Sequence, residues 1–258
     1  FPAGDVYTPV WRELAGPRLY LSFGADDADV RLLQAAWSDN AWAVQAHTPL
    51  GKLSFTLHIA GRHNVMNALA ATACAVAAGV PLDAIAQGLS GFTPVKGRSR
   101  AFSVDHGERS ITVVDDTYNA NPDSMRAAID VLAALPGPRL LVVGDMGEVG
   151  DQGPLFHAEA GAHAKTRGIE LVFALGDQSA HVVDSFGAAG VHHSGIDSLN
   201  AAVVAALPEV GSVLVKGSRF MKMERVVAAI TATQQQKQAS EENTMPVTSI
   251  AVAGGARC

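Results

Sequence analysis

Asp115 and Asp116 end a β-branched run, Ile111 to Val114, and a polar turn then leads to Asn121-Pro122. β-Branched residues suit a buried strand. Asn is a good N-cap, and Pro is tolerated at the first helical position because its missing N–H would have had no partner there. In open α/β sheets, acidic loops between a strand and a helix line the ligand crevice at the carboxyl ends of the strands, although an ordinary βα turn has the same order. Asn64 and Asn67 lie three apart at the start of an apolar stretch and share a helical face. An amide that donates and accepts suits the N6/N7 edge of adenine; capping of the helix by Asn64 is the alternative. Arg62 and His63 could meet phosphate or stay solvated. Lys96, Arg98 and Arg100 form a small basic group that could meet a nucleotide, a substrate carboxylate or only water. Lys216-Gly217-Ser218-Arg219 follows an apolar run and precedes a helical one, so backbone N–H groups and two cations converge where an anion could bind. Lys216, at a strand end, is expected to be solvent-accessible.

His192-His193 has no partner at metal-ligand spacing and reads as a surface pair, so no metal-ligating set is expected in this chain. Cys-x-x-Cys, His-Glu-x-x-His, Gly-x-Ser-x-Gly and Gly-x-x-x-x-Gly-Lys-Ser/Thr are all absent, and Gly51-Lys52 is followed by Leu53.

The elements that must position these residues follow from pattern. Ala41 to His47 and Leu53 to Ile59 read as two strands about a turn at Pro49-Leu50-Gly51. A helix from Val65 to Ala78 is apolar almost all round and is expected to be buried, with Cys74 as a small core residue. A short helix, Leu82 to Leu89, precedes a Pro/Gly-containing connection at 91–97, the candidate domain boundary. Ala101 to Val104 and Ile111 to Val114 flank His106-Gly107 as an antiparallel hairpin. Strands at 140–143, 171–175 and 213–215 then alternate with helices at 122–135, 155–166, a short one after Asp177, one capped by Asp197 and a last one at 221–230. That alternation predicts right-handed βαβ crossovers and an α/β fold with a mostly parallel sheet. In such a sheet Asp116, Asp145, Asp177 and Lys216 to Ser218 gather along one edge. Little chemistry is legible in residues 1–40, and 231–258 is expected to be disordered.

Hydrophobic residues make up 48% of the 258 and charged ones 17%, enough for a sizeable core. The net charge of −6, without a Lys/Arg-rich surface, argues against nucleic acid. No apolar run could span a bilayer and no signal-peptide pattern appears, so no membrane insertion is expected. The two cysteines, Cys74 and Cys258, lack paired spacing, which favours the cytoplasm. Because the first residue is Phe1, the chain is expected to begin inside a longer protein.

Four ordered segments, Gly61 to Ala71, Asp115 to Ser124, Gly144 to Gly150 and Lys216 to Glu224, together resemble the Mur ligases of peptidoglycan synthesis. The second and fourth resemble the member that joins D-alanyl-D-alanine to a UDP-N-acetylmuramoyl-tripeptide, and spacing and order agree over roughly residues 1 to 230. The resemblance implies an ATP- and Mg2+-dependent amide ligase of three domains. Residues 1–96 would be the last part of its central ATPase domain and 97–230 its Rossmann-like C-terminal domain. It implies adenine-facing roles for Asn64 and Asn67 and a place near the nucleotide for Arg98. Asp116 would bind the ribose, with Tyr118 and Asn119 beside the base. Asp145, Lys216, Ser218 and Arg219 would face the incoming dipeptide and the tripeptide end, Lys216 and Arg219 as the catalytic pair. Two positions depart from the family pattern, Lys96 before Gly97-Arg98 and Gly147 inside the Asp-Met-x-Glu loop. The implied chemistry is acyl activation: the tripeptide carboxylate takes the γ-phosphoryl of ATP, and the dipeptide amine displaces phosphate. Its phosphate loop, magnesium ligands and modified lysine would all lie upstream. A monomer is expected.

Two further readings stay open. Another ligase of the superfamily, adding an amino acid or extending folate with glutamate, is opposed by the Asn-Ala-Asn-Pro and Lys-Gly-Ser-Arg segments. A non-catalytic nucleotide-binding module is favoured by the absent phosphate loop.

Overall fold

The computed structural model describes residues 1–24, 27–106 and 109–242, side chains from 234 onward excepted. A helix α1 (Thr8–Ala15) precedes a sheet of β1 (Phe23–Gly24), β2 (Val30–Ser38), β3 (Ala41–Thr48) and β4 (Gly51–Leu57) in that order, with only the β1–β2 pair parallel. β4 alternates with the pleat: Leu53, Phe55 and Leu57 are buried, while Lys52, Ser54 and Thr56 are exposed. The buried face packs on α2 (Arg62–Ala77) and α3 (Leu82–Ser90). α2 buries only one stripe, Val65, Ala68, Leu69, Thr72 and Ala73, and Cys74 is exposed, so the expectations of all-round burial and of a core cysteine are overturned. Alanines make the other face apolar while leaving little surface that needs covering. α1 and β2 were not legible; β2 lacks strict alternation and shifts register against β3 between Leu32 and Gln34.

The second sheet follows: β5 (Arg100–His106), β6 (Arg109–Asp116), α4 (Pro122–Ala133), β7 (Arg139–Gly144), α5 (Gly153–Thr166), β8 (Leu171–Leu175), α6 (Ala180–Phe186), β9 (Gly190–His193), α7 (Ile196–Ala206), β10 (Ser212–Lys216) and α8 (Glu224–Glu242). The strand order is β5-β6-β10-β7-β8-β9, with β5 antiparallel to β6 and every other pair parallel, as the α/β reading expects. One face packs Val114, Leu141, Val143 and Leu214 against α4, α5 and α6. The other packs Val113, Val142, Val213 and Val215 against α7 and α8. Burial on both faces is why these strands read as continuous apolar runs.

Two expectations change, and one strand that the sequence did not show is added. β9 holds the His192-His193 pair on an edge strand, and His192 Nε2 lies 2.8 Å from the Gly176 carbonyl oxygen. Asp197 sits in the first turn of α7, whose N-cap is Gly195. α8 continues through Glu242, so 231–242 is helical where a disordered tail was expected; its Ala, Gln, Lys and Glu are good helix formers. Gly107 of the hairpin turn, and 243–258 with Cys258, lie outside the described residues. Among those described, no helix is long and apolar enough to cross a membrane.

Candidate active site

β10 enters the sheet between β6 and β7, and the register sets Lys216 beside Asp116 and Val143. Lys216 Nζ donates to Asp116 Oδ2 at 2.6 Å and to the Asn119 carbonyl at 2.8 Å, and its side chain is only 3% exposed. The expected solvent-accessible loop lysine is instead a buried partner of Asp116. The strand that carries it is central in the sheet, which a local pattern does not reveal.

The linker before β5 is tied to the end of β6. Asp116 Oδ1 accepts from the Ser99 N–H at 2.9 Å and the Ser99 hydroxyl at 3.1 Å. Asp115, fully buried, takes the Gly97 N–H at 3.1 Å on Oδ2 and the Thr117 hydroxyl at 2.6 Å on Oδ1. Gly97 has φ +81°, and a Cβ there would lie 3.0 Å from the Tyr118 nitrogen, so a glycine suits this close approach. The two adjacent carboxylates therefore divide: Asp115 is spent on the turn, whereas Asp116 faces the cleft. Ser99 carried no sequence signal, since a serine in a linker has no periodicity to mark it.

From the other side, α2 presents its first turn. Its N-cap is Gly61, so Asn64 does not cap it. Asn64 Nδ2 donates to the Ala60 carbonyl at 2.7 Å, and Asn67 Nδ2 donates to Asn64 Oδ1 at 3.2 Å. The Arg98 guanidinium lies 3.9 Å over the Tyr118 ring. Arg100 instead sits over Phe102 at 5.7 Å and Lys96 is exposed, so the three do not act as one basic cluster. Asn64, Asn67, Arg98, Asp116, Tyr118, Asn119 and Lys216 all line one cleft of about 360 Å³. His63 lines it too. Its imidazole is held below the usual histidine range, first by desolvation and then by the Lys216 charge, with Asp116 acting in the opposite sense.

Asp145, Ser218 and Arg219 do not line this cleft. Asp145 Oδ1 accepts from the Ser179 N–H at 2.8 Å and its hydroxyl at 2.7 Å. Buried Ser218 donates through Oγ to the Ala120 carbonyl at 3.1 Å and accepts the Gly147 N–H at 2.6 Å. Exposed Arg219 pairs with Glu224 at 3.1 Å. All three stand on the same sheet edge, at the ends of β7 and β10. Among the described residues no group of three or more His, Cys, Asp or Glu side chains converges as a metal site.

Residues 100–219 match the family described as Mur ligase, glutamate ligase domain. The UDP-N-acetylmuramoyl-tripeptide--D-alanyl-D-alanine ligase of Escherichia coli K12 is 37% identical over 224 residues, which is 85% of this chain and 49% of that protein. A crystal structure of MurF from Acinetobacter baumannii superposes with a TM-score of 0.76 at 32% identity, over 89% of this chain and 50% of the other. MurF ligase from Thermotoga maritima, solved in complex with ADP, shares the fold at a TM-score of 0.70 and 21% identity, over 84% of this chain and 49% of that one. The chain thus spans about half the length of the relatives it matches.

Proposed function

The chain belongs to the Mur ligase family, and from that membership we propose that it is the C-terminal half of an ATP-dependent amide ligase adding D-alanyl-D-alanine to a UDP-N-acetylmuramoyl-tripeptide. Residues 1–96 would end the central ATP-binding domain, and those from 97 would form the C-terminal ligase domain, extended by α8. The enzyme would act in the cytoplasm as a monomer, in peptidoglycan synthesis.

The observation that carries this reading is the single cleft in which α2, the linker and the ends of β6 and β10 meet. Its groups suit an adenosine: an amide pair for the base edge, a tyrosine ring capped by a guanidinium, and a carboxylate. Asp116 has about four acceptor sites; Ser99 takes two and Lys216 one, which leaves room for a ribose hydroxyl. Lys216 has three N–H bonds, and two are used within the protein. The third is proposed to meet phosphate or carboxylate oxygen at the cleft wall. Arg219 would exchange Glu224 for a substrate carboxylate. Asp145 and Ser218 would act on the acceptor through the loops they hold.

ATP supplies a γ-phosphoryl that makes the tripeptide carboxylate an acyl phosphate. The dipeptide amine then attacks the acyl carbon, a C–N bond forms, phosphate leaves and the amine loses a proton. The phosphate-cradling loop and magnesium ligands that this needs are proposed to lie upstream. Phosphate release is the test, with ATP, magnesium, the UDP-linked tripeptide and D-alanyl-D-alanine, comparing this chain with a version extended upstream to the length of its relatives. Turnover is expected only from the extended protein. Comparable turnover by both would overturn the division of the site between halves, and use of other amines in preference to D-alanyl-D-alanine would overturn the acceptor.

A further inference from the structure

Three consecutive residues after β7 are each held from a different direction. Ser179 grips the Asp145 carboxylate, Ser218 Oγ accepts the Gly147 N–H, and between them the Met146 N–H donates to His157 Nε2 at 2.9 Å. His157, on α5, is completely buried. Its Nδ1 lies 2.7 Å from the Gly153 carbonyl oxygen, four residues back on the same helix. A carbonyl only accepts, so Nδ1 carries the proton; a backbone N–H only donates, so Nε2 is the bare acceptor. These partners select one neutral tautomer. An imidazolium would set Nε2–H against the Met146 N–H.

The loop so held packs on the segment after β10. The Asp145 carbonyl accepts the Ser218 N–H at 3.0 Å, and a Cβ at Gly147 would lie 2.9 Å from the Phe220 ring. The loop ends at exposed Glu148 with φ +59°, a backbone conformation that persists in a non-glycine residue only when its surroundings impose it.

We infer that His157 is a positioning residue for the acceptor amine: by accepting the Met146 N–H it sets the 145–148 loop against the Lys216–Phe220 segment, the side of the site assigned above to the acceptor dipeptide. This rests on the acceptor reading of that sheet edge given above. His157→Gln keeps an acceptor and a donor at comparable reach, whereas His157→Asn is too short for Met146. Backbone amide exchange on this chain reads the positioning directly. The Met146 amide should be protected in the wild type and in His157→Gln, and exchange far faster in His157→Asn, with the β7 amides unchanged. In the ligation-competent protein, His157→Asn should raise the D-alanyl-D-alanine KM roughly ten-fold, the order expected for a buried N–H left without its acceptor. The ATP KM should stay within about two-fold, and His157→Gln should restore the acceptor KM. Equal Met146 protection in all three proteins would overturn the inference, as would acceptor and ATP KM rising together. Should His157→Asn not fold, His157→Gln decides: lost Met146 protection with an unchanged acceptor KM would overturn it. A wild-type enzyme that ligates other amines and not D-alanyl-D-alanine would remove the acceptor reading, and the inference with it, whatever the exchange rates.

Discussion

Lys216 and Asp116 stand 100 residues apart in sequence and share a 2.6 Å contact beneath the cleft. Removing one member of a buried pair strands the other charge, so Lys216→Ala should cost about 3–5 kcal/mol in the unfolding free energy of this chain. Denaturant titration checks this. Unchanged stability with lost ligation would make Lys216 purely a substrate ligand. Asn67 is exposed, and its Nδ2 touches only Asn64 among the described contacts. Asn67→Ala should therefore leave the fold intact and raise the ATP KM of the complete enzyme several-fold, for a hydrogen bond of about 1 kcal/mol. The dipeptide KM should move less. An unchanged ATP KM would count against adenine recognition. Two adjacent identical letters do not by themselves separate Asp115 from Asp116, and only the family resemblance pointed to Asp116; in the structure the Gly97 and Thr117 donors occupy Asp115, while Asp116 lines the cleft.

At the scale of elements, α4 was legible because its start obeys local rules. Asn121 caps it by accepting the Ser124 N–H at 2.8 Å, Ser124 returns the bond to the Asn121 N–H at 3.0 Å, and Pro122 follows. Asn121→Ala should cost about 1 kcal/mol of stability, seen as a shift of the denaturation midpoint with an unchanged slope. The linker that meets this region was legible only as a boundary. Its Gly97 holds φ +81° against the Tyr118 nitrogen. Gly97→Ala should destabilise by about 1–3 kcal/mol and weaken nucleotide binding, because Arg98 and Ser99 follow it directly. Retained nucleotide affinity would show that the linker does not set the cleft. β9 and the N-terminal elements escaped the sequence for a different reason: short or irregular strands are specified by their neighbours more than by their own alternation.

For the whole molecule, two imidazoles oppose acid. Desolvation lowers His63 and His193 below their ordinary 6.5, helped at His193 by the charge of His192. Below that value the unfolded chain takes up protons that the folded chain resists, so stability should fall as pH drops through 6.5 and below. His63→Gln should lessen the fall; an identical pH profile would show that His63 does not contribute. Asp29 acts in the same sense at lower pH. The Ser22 N–H and hydroxyl hold it below its ordinary 3.8, so its stabilisation is present above that value and is lost only as pH drops below it. By itself the sequence determined the α/β class, the alternation from residue 100 onward and several of the residues that meet in one cleft, Ser99 excepted, because apolar periodicity, caps and ordered motifs are properties of neighbouring residues. The tertiary structure alone decided that β10 inserts between β6 and β7. That placement turned an expected surface lysine into a buried partner of Asp116; the packing of the segment after β8 and of α5 against the end of β7 set Asp145 inward on Ser179 and made His157 the hidden acceptor for Met146. Each of these contacts joins residues from separate elements, and burial, unlike periodicity, is a property of the packed whole.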